Sequence, residues 1–112
     1  MKKNTLLTLA AVLAFAVTPK LFAADGAAIY SDICAQCHGD DGKGKTVKGK
    51  RLKIRDFSDP KVQDSFTDAE AVKTVKEGIT DKHNVILMKG YKTDLSDAEV
   101  TAVVAYFRTL KK

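Results

Sequence analysis

The chain's only two cysteines stand three residues apart, with a histidine directly after the second: Cys34-Ala35-Gln36-Cys37-His38. C-x-x-C-H reads as a site of covalent haem attachment, one thioether to each sulfur. On a helix, positions i, i+3 and i+4 share a face. Cys34, Cys37 and His38 can therefore turn toward one ligand, the sulfurs holding the porphyrin edge and the imidazole reaching the iron. An iron held by one histidine needs a second axial ligand if it is to carry electrons. Apart from Met1, Met88 is the only methionine, and it lies in a stretch with no helical period. A thioether is a soft ligand that favours reduced iron, so a His38/Met88 pair would raise the potential. Methionine more often just fills a core; beside C-x-x-C-H, the ligand role is the stronger reading.

Other chemistries compete for the same residues. His83, five residues before Met88, is the rival distal ligand and would give a lower potential, although a lone loop histidine is ordinarily solvated. Cys34, Cys37 and His83 offer zinc three ligands, and His38 abuts Cys37 too closely to share the metal easily. A thioredoxin-like C-x-x-C needs a βαβ setting, which the pattern lacks. A Cys34–Cys37 disulfide is the plain structural alternative, and the adjoining His38 argues against it.

Lys2 and Lys3 precede an apolar run from Leu6 to Val17, followed by Pro19 and small residues at Ala23 and Ala24. That is the layout of a cleaved signal peptide, residues 1–23, with the cut after Ala23. The apolar run is too short for a bilayer span, which takes about 20 residues. The mature protein is expected in a periplasm-like compartment, without a membrane span and as a monomer. It would keep 89 residues, with sixteen basic against fourteen acidic side chains. So small a chain is near the limit of what a hydrophobic core stabilises alone, and a bound haem would supply the missing core.

Seven basic residues and no acidic one lie between Lys43 and Arg55, which leaves the rest of the mature chain with nine basic against fourteen acidic. So dipolar a molecule can be steered toward an acidic surface on a redox partner. Arg51 and Arg55 are candidates to pair with a haem propionate. For an exported protein, nucleic acid is a poor partner whatever the basic run suggests.

The elements that must position these residues read as helices in one all-α domain, residues 24–112. A first helix is predicted over about 26–35, turning Ile29, Tyr30 and Ile33 inward. Glycines and lysines mark 39–55 as loop. Asp59-Pro60 is an N-cap with proline at the first helical position, opening a short helix to about Phe66. Thr67-Asp68-Ala69-Glu70 is a capping box for a helix with Val72, Val75 and Ile79 on one stripe, ending near Gly78. Residues 80–94 read as loop. Ser96-Asp97-Ala98-Glu99 is a second capping box, opening a helix with Val100, Val103, Val104, Phe107 and Leu110 at helical spacing. Arg108, Lys111 and Lys112 complement its dipole.

Taken together, Gly26, Ile29-Tyr30, Cys34 to Gly39, the Asp41-Gly42-Lys43-Gly44 turn, Met88-Lys89-Gly90-Tyr91 and the segment from Leu95 to Arg108 resemble a small mono-haem class I cytochrome c. The resemblance covers nearly all of residues 24–112. It implies about four short helices around one haem c, thioethers at Cys34 and Cys37, and iron between His38 and Met88. It also implies crossed terminal helices, with Tyr106 or Phe107 approaching Gly26. The implied role is a one-electron carrier between redox proteins rather than an enzyme. The alternatives are a haem enzyme or gas sensor with an open sixth site, or an electron-transfer subunit of a larger oxidoreductase. Two departures stand out: Lys89 replaces the proline common after the ligand methionine, and no proline lies between His38 and Pro60.

Overall fold

The computed structural model describes residues 24–112, with Leu13, Ala14 and Ala16 ahead of them. The expected signal peptide and its cleavage after Ala23 otherwise lie outside the described residues. The first helical run extends past its predicted end, to His38, and is not uniform. It begins as α1 (Gly26–Ile29), widens into a π turn over Tyr30–Cys34, and closes as α2 (Ala35–His38). The Asp25 carboxylate starts it by accepting from the Ala28 N–H at 3.1 Å. In the π turn the Ala35 N–H reaches back to the Tyr30 carbonyl. Such turns are rare and recur at functional sites; this one leads straight into the cysteine motif.

The stretch expected to be loop, 39–55, contains a helix, α3 (Val47–Leu52). Its signal is weak because Gly49 interrupts it and Val47 is 89% exposed, leaving no apolar stripe. Tertiary contacts hold it instead. Thr46 caps it, its hydroxyl accepting from the Gly49 N–H at 2.9 Å and donating to the Cys37 carbonyl at 2.6 Å. A Cβ on Gly49 would sit 2.7 Å from that same carbonyl. The short helix after Asp59, α4 (Pro60–Gln63), stops three residues before its predicted end.

Both capping boxes are formed. Thr67 and Glu70 open α5 (Asp68–Glu77), and Ser96 and Glu99 open α6 (Asp97–Arg108). Gly78 ends α5 with φ +75°. Between these helices the chain makes a short antiparallel pair, β1 (Ile79–Thr80) with β2 (Ile86–Met88). Two and three residues are too few to show strand alternation, so the sequence reads as loop there. The domain is otherwise helical.

The terminal helices cross, as the resemblance implies, but at a different residue. A Cβ on Gly26 would run into the carbonyl oxygen of Ala102 and lie 2.6 Å from its carbonyl carbon, so the close approach is to backbone one turn before Tyr106. Tyr106 packs instead on Tyr30, ring centroids 5.3 Å apart. Tyr30, Val100, Val103 and Val104 are buried at this crossing. Among the described residues, no helix is long and apolar enough to cross a membrane.

Candidate haem site

One wall of the site grows from α2. Cys34 ends the π turn, while Cys37 and His38 lie on α2 itself, so the motif leaves the helix as one cluster. Both thiols are free, and the disulfide reading finds no support. Burial, and then its neighbour Cys37, pushes the Cys34 thiol up to about 11. Burial alone lowers the basicity of His38, favouring the neutral imidazole. Its Nδ1 is buried without a hydrogen-bond partner. The ring lies 5.4 Å from that of Phe57.

Phe57 belongs to an aromatic wall that sequence reasoning missed. It stacks edge-on against Phe107 at 4.6 Å and Phe66 at 6.0 Å, and Phe66 lies 5.9 Å from Phe107. These residues come from the turn before α4, the loop before α5, and α6. Only Phe107 stands in a readable helical stripe, because the other two meet it through helix packing. Gln63 locks the wall from behind. It is 1% exposed, and its amide donates to the carbonyls of Phe57 at 2.7 Å and Phe107 at 3.1 Å.

Another wall of the cleft comes from the β pair. Ile79 pairs with Met88 and Thr80 with Ile86, which leaves Leu87 as an extra residue in a bulge. Bulges re-aim side chains beside functional sites. Here Leu87 and Met88, consecutive residues, both line the cleft.

The cleft has two adjoining lobes that share Cys34, His38, Arg55, Phe57, Ile79 and Met88. The first is bounded by Tyr30, Phe66, Val103, Val104 and Phe107. The second opens between Cys37 and Tyr91, with Lys48, Lys53 and Lys89 at its margin. His83 lines neither lobe. It is exposed on the turn before β2, where its N–H donates to Asp81 at 2.8 Å. Arg51 also lines neither, whereas Arg55 lines both, 5.8 Å from the ring centroids of Phe57 and Phe66. Among the described residues, no three His, Cys, Asp or Glu side chains gather as a metal-ion site, so the zinc reading has no geometry to rest on.

These residues fit a haem. The cleft is long, mostly apolar and walled by aromatic rings, as a large flat cofactor requires. The groups it offers suit that setting: two free thiols for attachment, an imidazole whose basicity burial lowers, and a thioether. Neutral donors suit an apolar cleft, where an unpaired charge would be costly.

The sequence matches the family described as cytochrome c oxidase, cbb3-type, subunit III, over residues 22–107. No curated protein is significantly similar to the chain. Among solved structures, KustC0563 c-type cytochrome is 33% identical, with a TM-score of 0.68, over 79% of this chain and 99% of that one. A tyrosine-to-phenylalanine mutant of Kustc0563 is 31% identical, with a TM-score of 0.65, over 78% of this chain and 99% of that one. Family match, fold and cleft agree, and the chain belongs to this cytochrome family as a small class I c-type cytochrome that binds haem c.

Proposed function

We propose that this haem electron carrier is a soluble, exported, monomeric shuttle whose haem is joined to Cys34 and Cys37 and ligated by His38 and Met88. The observation that carries the proposal is the cleft itself: His38 and Met88 both line each of its lobes, and His83 lines neither. When bound, the haem would supply one-electron redox chemistry. The chain's part is to keep the surroundings unchanged while that happens. His38 comes from α2 and Met88 from β2, separate elements that line one cleft, so both oxidation states would keep the same ligands. The aromatic wall excludes water and disfavours the extra positive charge of the ferric form, which adds to methionine in raising the potential.

Arg55 lines both lobes and would pair with a haem propionate. Lys48, Lys53 and Lys89 edge the more open lobe and give an acidic redox partner an electrostatic approach. A unit charge placed about 10 Å from a bound haem iron, at an effective dielectric of ~20, would contribute roughly 1.7 kcal/mol, or about 70 mV for one electron. Exposed lysines contribute less, so ligation sets the potential and surface charge trims it.

The test is the optical spectrum of the purified protein in both redox states. Intact Met88 ligation gives the weak far-red iron–methionine band in the ferric form and no carbon monoxide binding in the ferrous form. Met88→Ala should lose the band, bind carbon monoxide and lower the potential; an unchanged spectrum would exclude Met88 as the ligand. The family description favours one second reading, an electron-transfer subunit docked in a larger oxidoreductase. Gel filtration of native extract separates the two: a free carrier elutes at the mass of one chain, a subunit with its complex.

A further inference from the structure

With no proline after Met88, something else must hold the distal segment. The residues that do so are glycines in two crossing stretches of backbone. A Cβ on Gly78 would run into the Met88 carbonyl oxygen and lie 2.6 Å from the Gly90 nitrogen. A Cβ on Gly90 would lie 2.6 Å from the Lys76 carbonyl oxygen and 2.7 Å from the Glu77 carbonyl carbon. Each glycine faces the other stretch, and Cβ atoms essentially never come within 3.0 Å of such atoms. The Tyr91 N–H donates to the Val75 carbonyl at 2.9 Å and the Lys92 N–H to the Lys76 carbonyl at 3.2 Å, extending the contact. On the other side, Met88 is paired with Ile79.

We propose that Gly78 and Gly90 are positioning residues for the distal ligand, forming a backbone clip that sets how far Met88 reaches toward the iron. The proposal rests on Met88 being that ligand. Met88 is itself paired with Ile79, and the clip closes on its carbonyl and on Gly90, so its backbone is held at and just after the residue. The end of α5 thus serves as the anchor from which the ligand is measured. Gly78 has φ +75° and is needed for its conformation as well. Gly90 has no positive φ, so a side chain there is excluded by space alone. Gly90→Ala is therefore the cleaner probe.

The experiment compares Gly90→Ala with Gly26→Ala and Met88→Ala, each as haem-loaded protein. Gly26 is crowded just as tightly, by the Ala102 carbonyl, but at the helix crossing. Gly90→Ala should keep its covalent haem and helical content, lose most of the far-red band and admit carbon monoxide. Gly26→Ala should lose stability and keep the band. If Gly90→Ala keeps the band and refuses carbon monoxide while Met88→Ala loses it, the clip proposal fails and Met88 ligation stands. If Met88→Ala keeps the band, both fail. Should Gly90→Ala not yield holoprotein, hydrogen exchange in the unaltered protein decides. The Tyr91 and Lys92 amides should lose protection at the denaturant concentration that removes the far-red band. A band outlasting that protection overturns the proposal.

Discussion

Arg108 offers the sharpest energetic test of how the cleft wall is held. Its guanidinium donates to the Gln63 backbone carbonyl, to Gln63 Oε1 at 3.0 Å, to the Phe66 carbonyl at 2.8 Å and to Asp68 Oδ1 at 2.7 Å. It also lies 4.4 Å from the centroid of the Phe66 ring. Arg108→Met keeps the apolar stem and removes every donor. The Asp68 carboxylate is 75% exposed, so water replaces that partner and its share is only ~0.5 kcal/mol. The other three acceptors are part-buried. Hydrogen bonds to a charged group contribute about 1.5–3 kcal/mol each, and three on one guanidinium are far from additive. Losing the donor should therefore cost about 3–4 kcal/mol, a large part of the ~5–15 kcal/mol that holds a domain folded. At about 4–8 °C per kcal/mol for a domain of this size, the melting point should fall by ~15–30 °C.

Guanidinium unfolding of the ferric holoprotein, followed by far-ultraviolet circular dichroism, measures that cost. Asp68→Asn should cost less than ~1 kcal/mol. Arg108→Lys should recover less than half of the loss, because an ammonium cannot present the planar fork that serves several acceptors at once. The reasoning is refuted if Asp68→Asn costs as much as Arg108→Met. It is refuted equally if Arg108→Met costs under ~1 kcal/mol.

Three further outcomes follow from other contacts. Hydrogen bonds from the Ser96 N–H and hydroxyl hold the Glu99 carboxyl below its usual range, and bonds from Ser58 do the same for Asp56. A lowered folded pKa gives stability that is present above the unfolded value and lost as pH falls through the folded one. Urea midpoints should therefore fall as pH drops below the ordinary carboxyl values of 4.5 and 3.8, with a shallower fall in Glu99→Gln; an unchanged slope in that variant counts against the box. Tyr30, 2% exposed, donates to the Gly39 carbonyl at 2.7 Å, so Tyr30→Phe should cost about 1–2 kcal/mol. Burial raises the Tyr30 phenol well above its usual 10.0, so its contribution holds below that value and is lost as pH climbs past it; Tyr30→Phe should lack this alkaline loss. Lys48→Glu with Lys53→Glu should slow bimolecular electron transfer to an acidic partner at low salt and flatten the salt dependence, as stopped-flow would show.

The sequence speaks clearly where chemistry is local. Asp59, Thr67 and Ser96 announce their helices because a cap lies within three residues of what it caps, and all three caps are made. Cys34, Cys37, His38 and Met88 can be nominated from residue type and spacing, and the fold brings all four to one cleft. The failures are of one kind. Helix α3 stays hidden because Gly49, a breaker in isolation, is required by the carbonyls of Gly44 and Cys37, which no local spacing reveals. The partner of Gly26 falls a turn away from the expected one because helix crossing, not periodicity, decides which backbone atoms meet. Arg108 reads as a complement to a helix dipole, yet it reaches across more than forty residues to Gln63 and Phe66.

Apart from the Gly26 crossing, these long-range contacts gather around the cleft. On the proximal side, Thr46 and Gly49 press against the Cys37 carbonyl. At the cleft's strand segment, Gly78 presses against the backbone of Met88 to Gly90, and Gly90 against the Lys76 and Glu77 carbonyls. Between them, Gln63 and Arg108 tie the aromatic wall to α6. A one-electron carrier gains from surroundings that change little between oxidation states, because every atom that must move adds to the barrier. Backbone-to-backbone contact is the stiffest support a small domain has, since it depends on no side-chain rotamer. It also fails sharply: one added methyl group has nowhere to go. On the proposed ligation, Met88 would be held without a proline, provided that both glycines at the clip stay bare.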